Sequence, residues 1–169
     1  LTDKTGGNIH DNGTISITAS STQYFAGQKF AKNCKNLVNY TDFHKSSMWS
    51  PANENNFSLI FDFKDRHVDL QAYTFHTPVE NTKDYPRSWN VMVSVDGSHW
   101  RYSDVKHDVS EMNRCNTTQH FRCKNDHDNV GYRYIKITNN GPCWNGNNRY
   151  YFDISAVEFY GYLYEKSDI

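Results

Sequence analysis

Two short stretches of this chain set an aromatic ring among amides or beside a guanidinium. One is Asp84-Tyr85-Pro86-Arg87. The other runs from Asn139 to Arg149 and holds Trp144, Asn145 and Asn147. A third stretch, Asn39 to Asn56, carries Tyr40, Phe43, His44 and Trp49. An aromatic ring in such company suits a sugar or a peptide: the ring stacks on an apolar face while amides bond hydroxyls or backbone. Trp49, Tyr85, Arg87, Trp144, Asn145 and Asn147 are therefore the candidate ligand-binding residues. The competing assignment makes Trp49 and Trp144 caps on the core and the Asn residues holders of loop turns.

Other chemistry lacks its signature. The eight histidines form no His-Glu-x-x-His, nor a His pair flanked by carboxylates at helical spacing. Asp104, His107, Asp108 and Glu111 read as a solvated polar loop, and so do Asp126, His127 and Asp128. A structural Ca²⁺ held by backbone carbonyls and one or two Asp is compatible with such loops, though no EF-hand-type loop locates one. There is no Gly-x-Ser-x-Gly elbow for a serine nucleophile. The expectation is a protein without catalytic residues and without a cofactor.

The elements that position these loops come from alternation. Ile15 and Ile17 share a face in Thr14 to Thr18, as do Phe57, Leu59, Phe61 and Phe63 in the next run. Val68 to His76 reads as a strand that needs a bulge to bring Val68, Leu70, Ala72, Tyr73 and Phe75 together. Trp89 to Val95 alternates, and Asp96-Gly97 follows at once, the strongest short-range signal for a tight hairpin into His99 to Tyr102. Thr118 to Cys123, Tyr132 to Thr138 and Phe152 to Tyr160 complete about eight strands. Phe30, Cys34, Leu37 and Val38, at i, i+4, i+7 and i+8, predict one helical turn. Trp100, Tyr134 and Phe159 are expected in the core with Phe57, Phe61, Phe63 and Trp89. No helical pattern of crossover length lies between strands, so the expected class is all-β, a sandwich or jelly roll.

Composition sets the outer limits. At 169 residues with a net charge of -1, the chain suits one domain and lacks the basic footprint of a nucleic-acid binder or a polybasic membrane module. Aromatics make up 15% of it although the mean hydropathy is -0.85. That pairing excludes disorder, which needs few aromatics. Cys34, Cys115, Cys123 and Cys143 allow three disulfide pairings but include no Cys-x-x-Cys, and free thiols are the preferred reading. Four Asn-x-Ser/Thr sequons are no excess over chance in a chain with 19 Asn and say nothing of secretion. The first residue is Leu1, with no apolar leader, which fits a domain excised from a larger protein.

Four blocks, taken in order, resemble discoidin-like domains of the coagulation-factor type C superfamily. They are Gly6 to Gly13 with Ile17 to Ser21; Asn56 to Asp65 with Val68 and Tyr73; Arg87 to Asn90 through Ser94 to Trp100; and Arg133 to Ile137 through Gly141, Pro142, Trp144 to Asn147 and Glu158 to Gly161. The match covers roughly residues 5–163 and is similar above all to the intracellular branch found beside BTB domains. The resemblance implies a galactose-binding-like jelly roll that binds, without catalysis, through loops at one end. Members bind glycans, phospholipid head groups or proteins. Secreted members tie their termini by a disulfide, but no Cys lies near either end here, which favours an intracellular setting. Near-neutral, Asn-rich loops also disfavour a membrane ligand. The leading expectation is a recognition module for a protein partner, and the alternative is a carbohydrate-binding module with a Trp platform.

Overall fold

The alternating runs become eight strands in a computed structural model that describes residues 7–23, 33–39, 48–124 and 131–165. They are β1 (Ser16–Ala19), β2 (Leu59–Asp62), β3 (His67–His76), β4 (Trp89–Ser94), β5 (Arg101–Lys106), β6 (Thr118–Arg122), β7 (Tyr134–Asn139) and β8 (Ala156–Tyr164). Two antiparallel sheets result, one ordered β1-β2-β7-β4-β5 and the other β6-β3-β8. The expected helical turn is a 3₁₀ turn, Cys34–Val38, capped by the Asn33 side chain. Phe30, Tyr40, Phe43, His44, Asp126, His127 and Asp128 lie outside the described residues.

Period-two geometry decides what faces inward. Ile17, Phe61, Ile135 and Val93 line up across four neighbouring strands, and all are buried. Val68, Leu70, Tyr73, Phe75 and Val157 come from the opposing sheet. Between the sheets the aromatic rings form a chain: Trp89 lies 5.4 Å from Phe75 and 5.2 Å from Phe121, and Phe152 lies 5.1 Å from Phe57. The bulge in β3 falls between Leu70 and Ala72, with Gln71 the extra residue, slightly before the Ala72–Tyr73 step where the side-chain pattern put it.

Two expectations need correction. Trp100 and Tyr134 are only half-buried and pack edge to face at 6.4 Å outside the core. Tyr134 pairs with Asp62 and Ser94, in the register row that faces away from the second sheet. The β4–β5 hairpin is also not tight: six residues separate Ser94 from Arg101. The Asp96 carboxylate shapes that turn by accepting from the backbone N–H groups of Ser98 and His99, each at 2.8 Å. Gly97 takes the left-handed φ of 78° that follows.

One polar bridge crosses the interior. The Tyr73 hydroxyl on β3 donates to Asp104 Oδ2 on β5 at 2.7 Å and accepts from the Trp89 indole on β4 at 2.8 Å. Lys106 Nζ, 2.6 Å from the same oxygen, supplies the counter-charge. Because neighbouring strands run in opposite directions, the connections 77–88, 107–117 and 140–155 all emerge at one end of the sandwich, with 48–58 beside them. The connections 63–66 and 95–100 emerge at the other.

Candidate functional site

Asp84 is the anchor of the loop end. Its carboxylate accepts from Arg149 Nε and Nη2 at 3.0 and 2.8 Å, from Asn145 Nδ2 at 3.0 Å and from the Cys143 thiol at 3.5 Å. Burial pushes the Asp84 carboxyl up, but the Arg149 and Asn145 hydrogen bonds outweigh that and hold it below its ordinary value. Burial also lifts the Cys143 thiol to about 11, so this cysteine is a protonated donor rather than a nucleophile. The loop 143–149 closes on itself through Cys143 N–H to the Arg149 carbonyl at 2.7 Å.

Trp144 is fixed by that closure and by two neighbouring loops. Its backbone N–H donates to the Tyr85 carbonyl at 3.3 Å, and its indole N–H to the Val109 carbonyl at 3.1 Å. The Arg87 guanidinium lies over the indole, 4.9 Å from the ring centre, and Nε bonds Asp108 at 2.6 Å. Nη1 of Arg87 reaches Asn147 Oδ1 at 3.5 Å. The indole also borders an open cleft of about 410 Å³. Tyr85, Asn145, Asn81, Asn113 and Arg114 share that border.

The structure thus brings five of the six candidates together. Trp144, Asn145 and Tyr85 line the cleft, while Arg87 and Asn147 brace it. Tyr85 is 2% exposed and its hydroxyl points to the Glu80 carbonyl and Asn81 Oδ1, so it is floor rather than platform. Trp49 is elsewhere and fully buried. It bridges Ile154, packs 5.5 Å from Phe57 and donates its indole N–H to Thr22 at 3.2 Å. A ring with no exposed face cannot stack on a ligand, so Trp49 leaves the candidate set. Asn81, Lys83, Asn113, Arg114 and Cys115 join it. The last three lie on the 107–117 connection, a polar stretch with no aromatic to single it out in the sequence.

The arrangement is suited to recognition. Asp84 and Asp108 are each paired with an arginine, Arg149 and Arg87. Among the described residues no three His, Cys, Asp or Glu side chains are placed to hold a metal ion. No helix among them is long and apolar enough to cross a membrane.

None of the curated proteins matches the chain. Among solved structures it resembles a family 32 carbohydrate-binding module of Clostridium perfringens GH89, solved in complex with GalNAc-β-1,3-galactose. There the TM-score is 0.64 at 12% identity over 88% of this chain and 96% of that one. It also resembles the C-terminal domain of a Bacteroides fragilis chitobiase, with a TM-score of 0.65 and 13% identity over 90% and 96% of the two chains. The family 32 module of AlyQ, in complex with 4,5-unsaturated mannuronic acid, gives 0.60 and 15% over 86% and 93%. These likenesses establish the galactose-binding-like sandwich. The F5/8 type C domain profile matches residues 16–152, most of the length, and the chain belongs to that family.

Proposed function

We propose that this domain is a non-catalytic carbohydrate-binding module whose site is the loop-end cleft. The observation that carries this reading is Trp144: a half-exposed indole, held at its backbone and its N–H, that borders an open cleft beside the amides of Asn81, Asn113 and Asn145. A sugar ring presents apolar C–H groups to such a platform and hydroxyls to such amides. The named carbohydrate-binding modules of the same fold support the reading. The expected result on an array of galactose- and N-acetylgalactosamine-terminated glycans is a defined set of hits. Trp144→Ala should weaken them at least about tenfold while the thermal midpoint stays close to wild type. A folded domain with no hits, or hits indifferent to Trp144→Ala, overturns the assignment.

A protein partner on the same loop face, the leading expectation from the sequence, now stands second because the similar folds are glycan binders. An intracellular setting keeps one support, since Cys34, Cys115, Cys123 and Cys143 are all free.

A further inference from the structure

The border of the loop-end cleft is one-sided in charge. Lys83 and Arg114 both belong to it, and no carboxylate does. The other cations of these loops are matched, Arg87 by Asp108 and Arg149 by Asp84. Lys83 and Arg114 have no carboxylate within salt-bridge distance among the described residues. Glu80 and Glu111, the other acids of the same two connections, stay off the border, and Glu111 accepts from the Ser110 hydroxyl at 3.4 Å. The whole chain has a net charge of -1, so this positive excess is local.

The backbone under each cation is held in place. Lys83 takes a left-handed φ of 65° and leads directly into Asp84, whose carboxylate is fastened to Cys143, Asn145 and Arg149. Arg114 donates its backbone N–H to the Met112 carbonyl at 2.9 Å, and its own carbonyl accepts from the Thr77 hydroxyl at 2.7 Å. That last contact ties the 107–117 connection to the 77–88 connection. An anion arriving at Lys83 and Arg114 therefore has no existing ion pair to break and orders little beyond two side chains. At Arg87 or Arg149 it would have to displace a carboxylate already in place. A guanidinium also matches a carboxylate or a sulfate ester in a two-pronged contact.

The geometry points to an anionic saccharide as the ligand of this cleft: a sugar ring against Trp144, with its carboxylate or sulfate ester toward Lys83 and Arg114. The inference rests on the carbohydrate-binding reading above and sharpens it to the charge of the sugar. A cleft of about 410 Å³ has room for one or two rings.

The test is an NMR titration of the intact domain that follows the Trp144 indole N–H signal with three probes of one ring configuration. They are neutral methyl galactoside, galacturonate and galactose-6-sulfate. At least one anionic probe should bind about tenfold tighter than the neutral one, the worth of one charge-assisted contact. Which of the two leads tells a carboxylate ligand from a sulfate ester. Arg114→Met or Lys83→Met should bring the ratio of anionic to neutral affinity down toward equality, and Arg114→Lys should keep most of it. Lys136→Met removes a cation from the middle of β7 and should leave the ratio as it is. Equal binding of neutral and anionic probes overturns the anionic preference while the carbohydrate reading stands, whereas no Trp144 response to any probe overturns both. A preference that survives Arg114→Met and Lys83→Met, or that falls as far in Lys136→Met, overturns the assignment to these two residues. An equal response to inorganic sulfate would mark a bare anion site and overturn it as well.

Discussion

Asp84 does more for the candidate site than any residue that lines it. It fastens Cys143, Asn145 and Arg149 from below, and Trp144 is carried between them. Asp84→Asn keeps the shape but leaves the Arg149 guanidinium without its counter-charge, at a cost of about 2 kcal/mol for hydrogen bonds to a charged group. Because the folded-state pKa of Asp84 is depressed, its stabilisation is present above the ordinary carboxylate range and is lost as pH falls through the lowered value. Urea melts of the two proteins should therefore differ at neutral pH and converge in acid. A difference that persists in acid would show that Asp84 acts by packing. At this scale the sequence was partly legible. Arg87, Trp144, Asn145 and Asn147 stand out as an aromatic and amide cluster and are found together. Trp49 has the same local look but lies in the core, because its burial comes from a bridge to Ile154, a residue 105 positions away by sequence number (154 − 49), which no local pattern reveals.

At the scale of elements, β3 and β8 make the longest pairing and also the tightest. At Gly161 a Cβ would come within 1.9 Å of the Asp69 carbonyl oxygen, just before the Gln71 bulge. Gly161→Ala therefore has to push backbone apart, which costs about 1–3 kcal/mol or more. Thermal unfolding should show the loss, whereas Gly141→Ala, whose Cβ would meet only an ordinary 3.6 Å contact with Ser88, should stay close to wild type. Most strands were legible because alternation survives in short windows; β5, expected from the Asp-Gly turn as His99 to Tyr102, runs Arg101–Lys106 and does not alternate. Which side of an alternating run faces inward is less so: Phe61 and Tyr134 lie on opposite faces of one sheet, and both faces carry rings. The role of the 107–117 connection was hidden because its Asn113 and Arg114 acquire meaning only when folded against Trp144.

At the scale of the molecule, the Tyr73 hydroxyl is a buried polar fastening between the sheets. Tyr73→Phe leaves the buried Trp89 N–H without its acceptor and removes one donor from Asp104, so a loss of about 1–3 kcal/mol is expected in denaturant melts. A loss well below that range would mean this bridge adds little to the apolar packing between the sheets. The order of strands across the larger sheet also bears on how the chain comes to be folded. β2 pairs with β7, and β3 with β8, so strands made early have neighbours made late. A chain emerging from the ribosome cannot close either sheet until β7 and β8 have followed. With contacts this far apart in sequence, loop closure precedes any reward, and folding belongs to the slow, millisecond-to-second regime of β topologies. Phe57, Phe61 and Tyr73 thus spend that interval in search of partners, and the nascent chain is most exposed to misassociation just before its last strand appears.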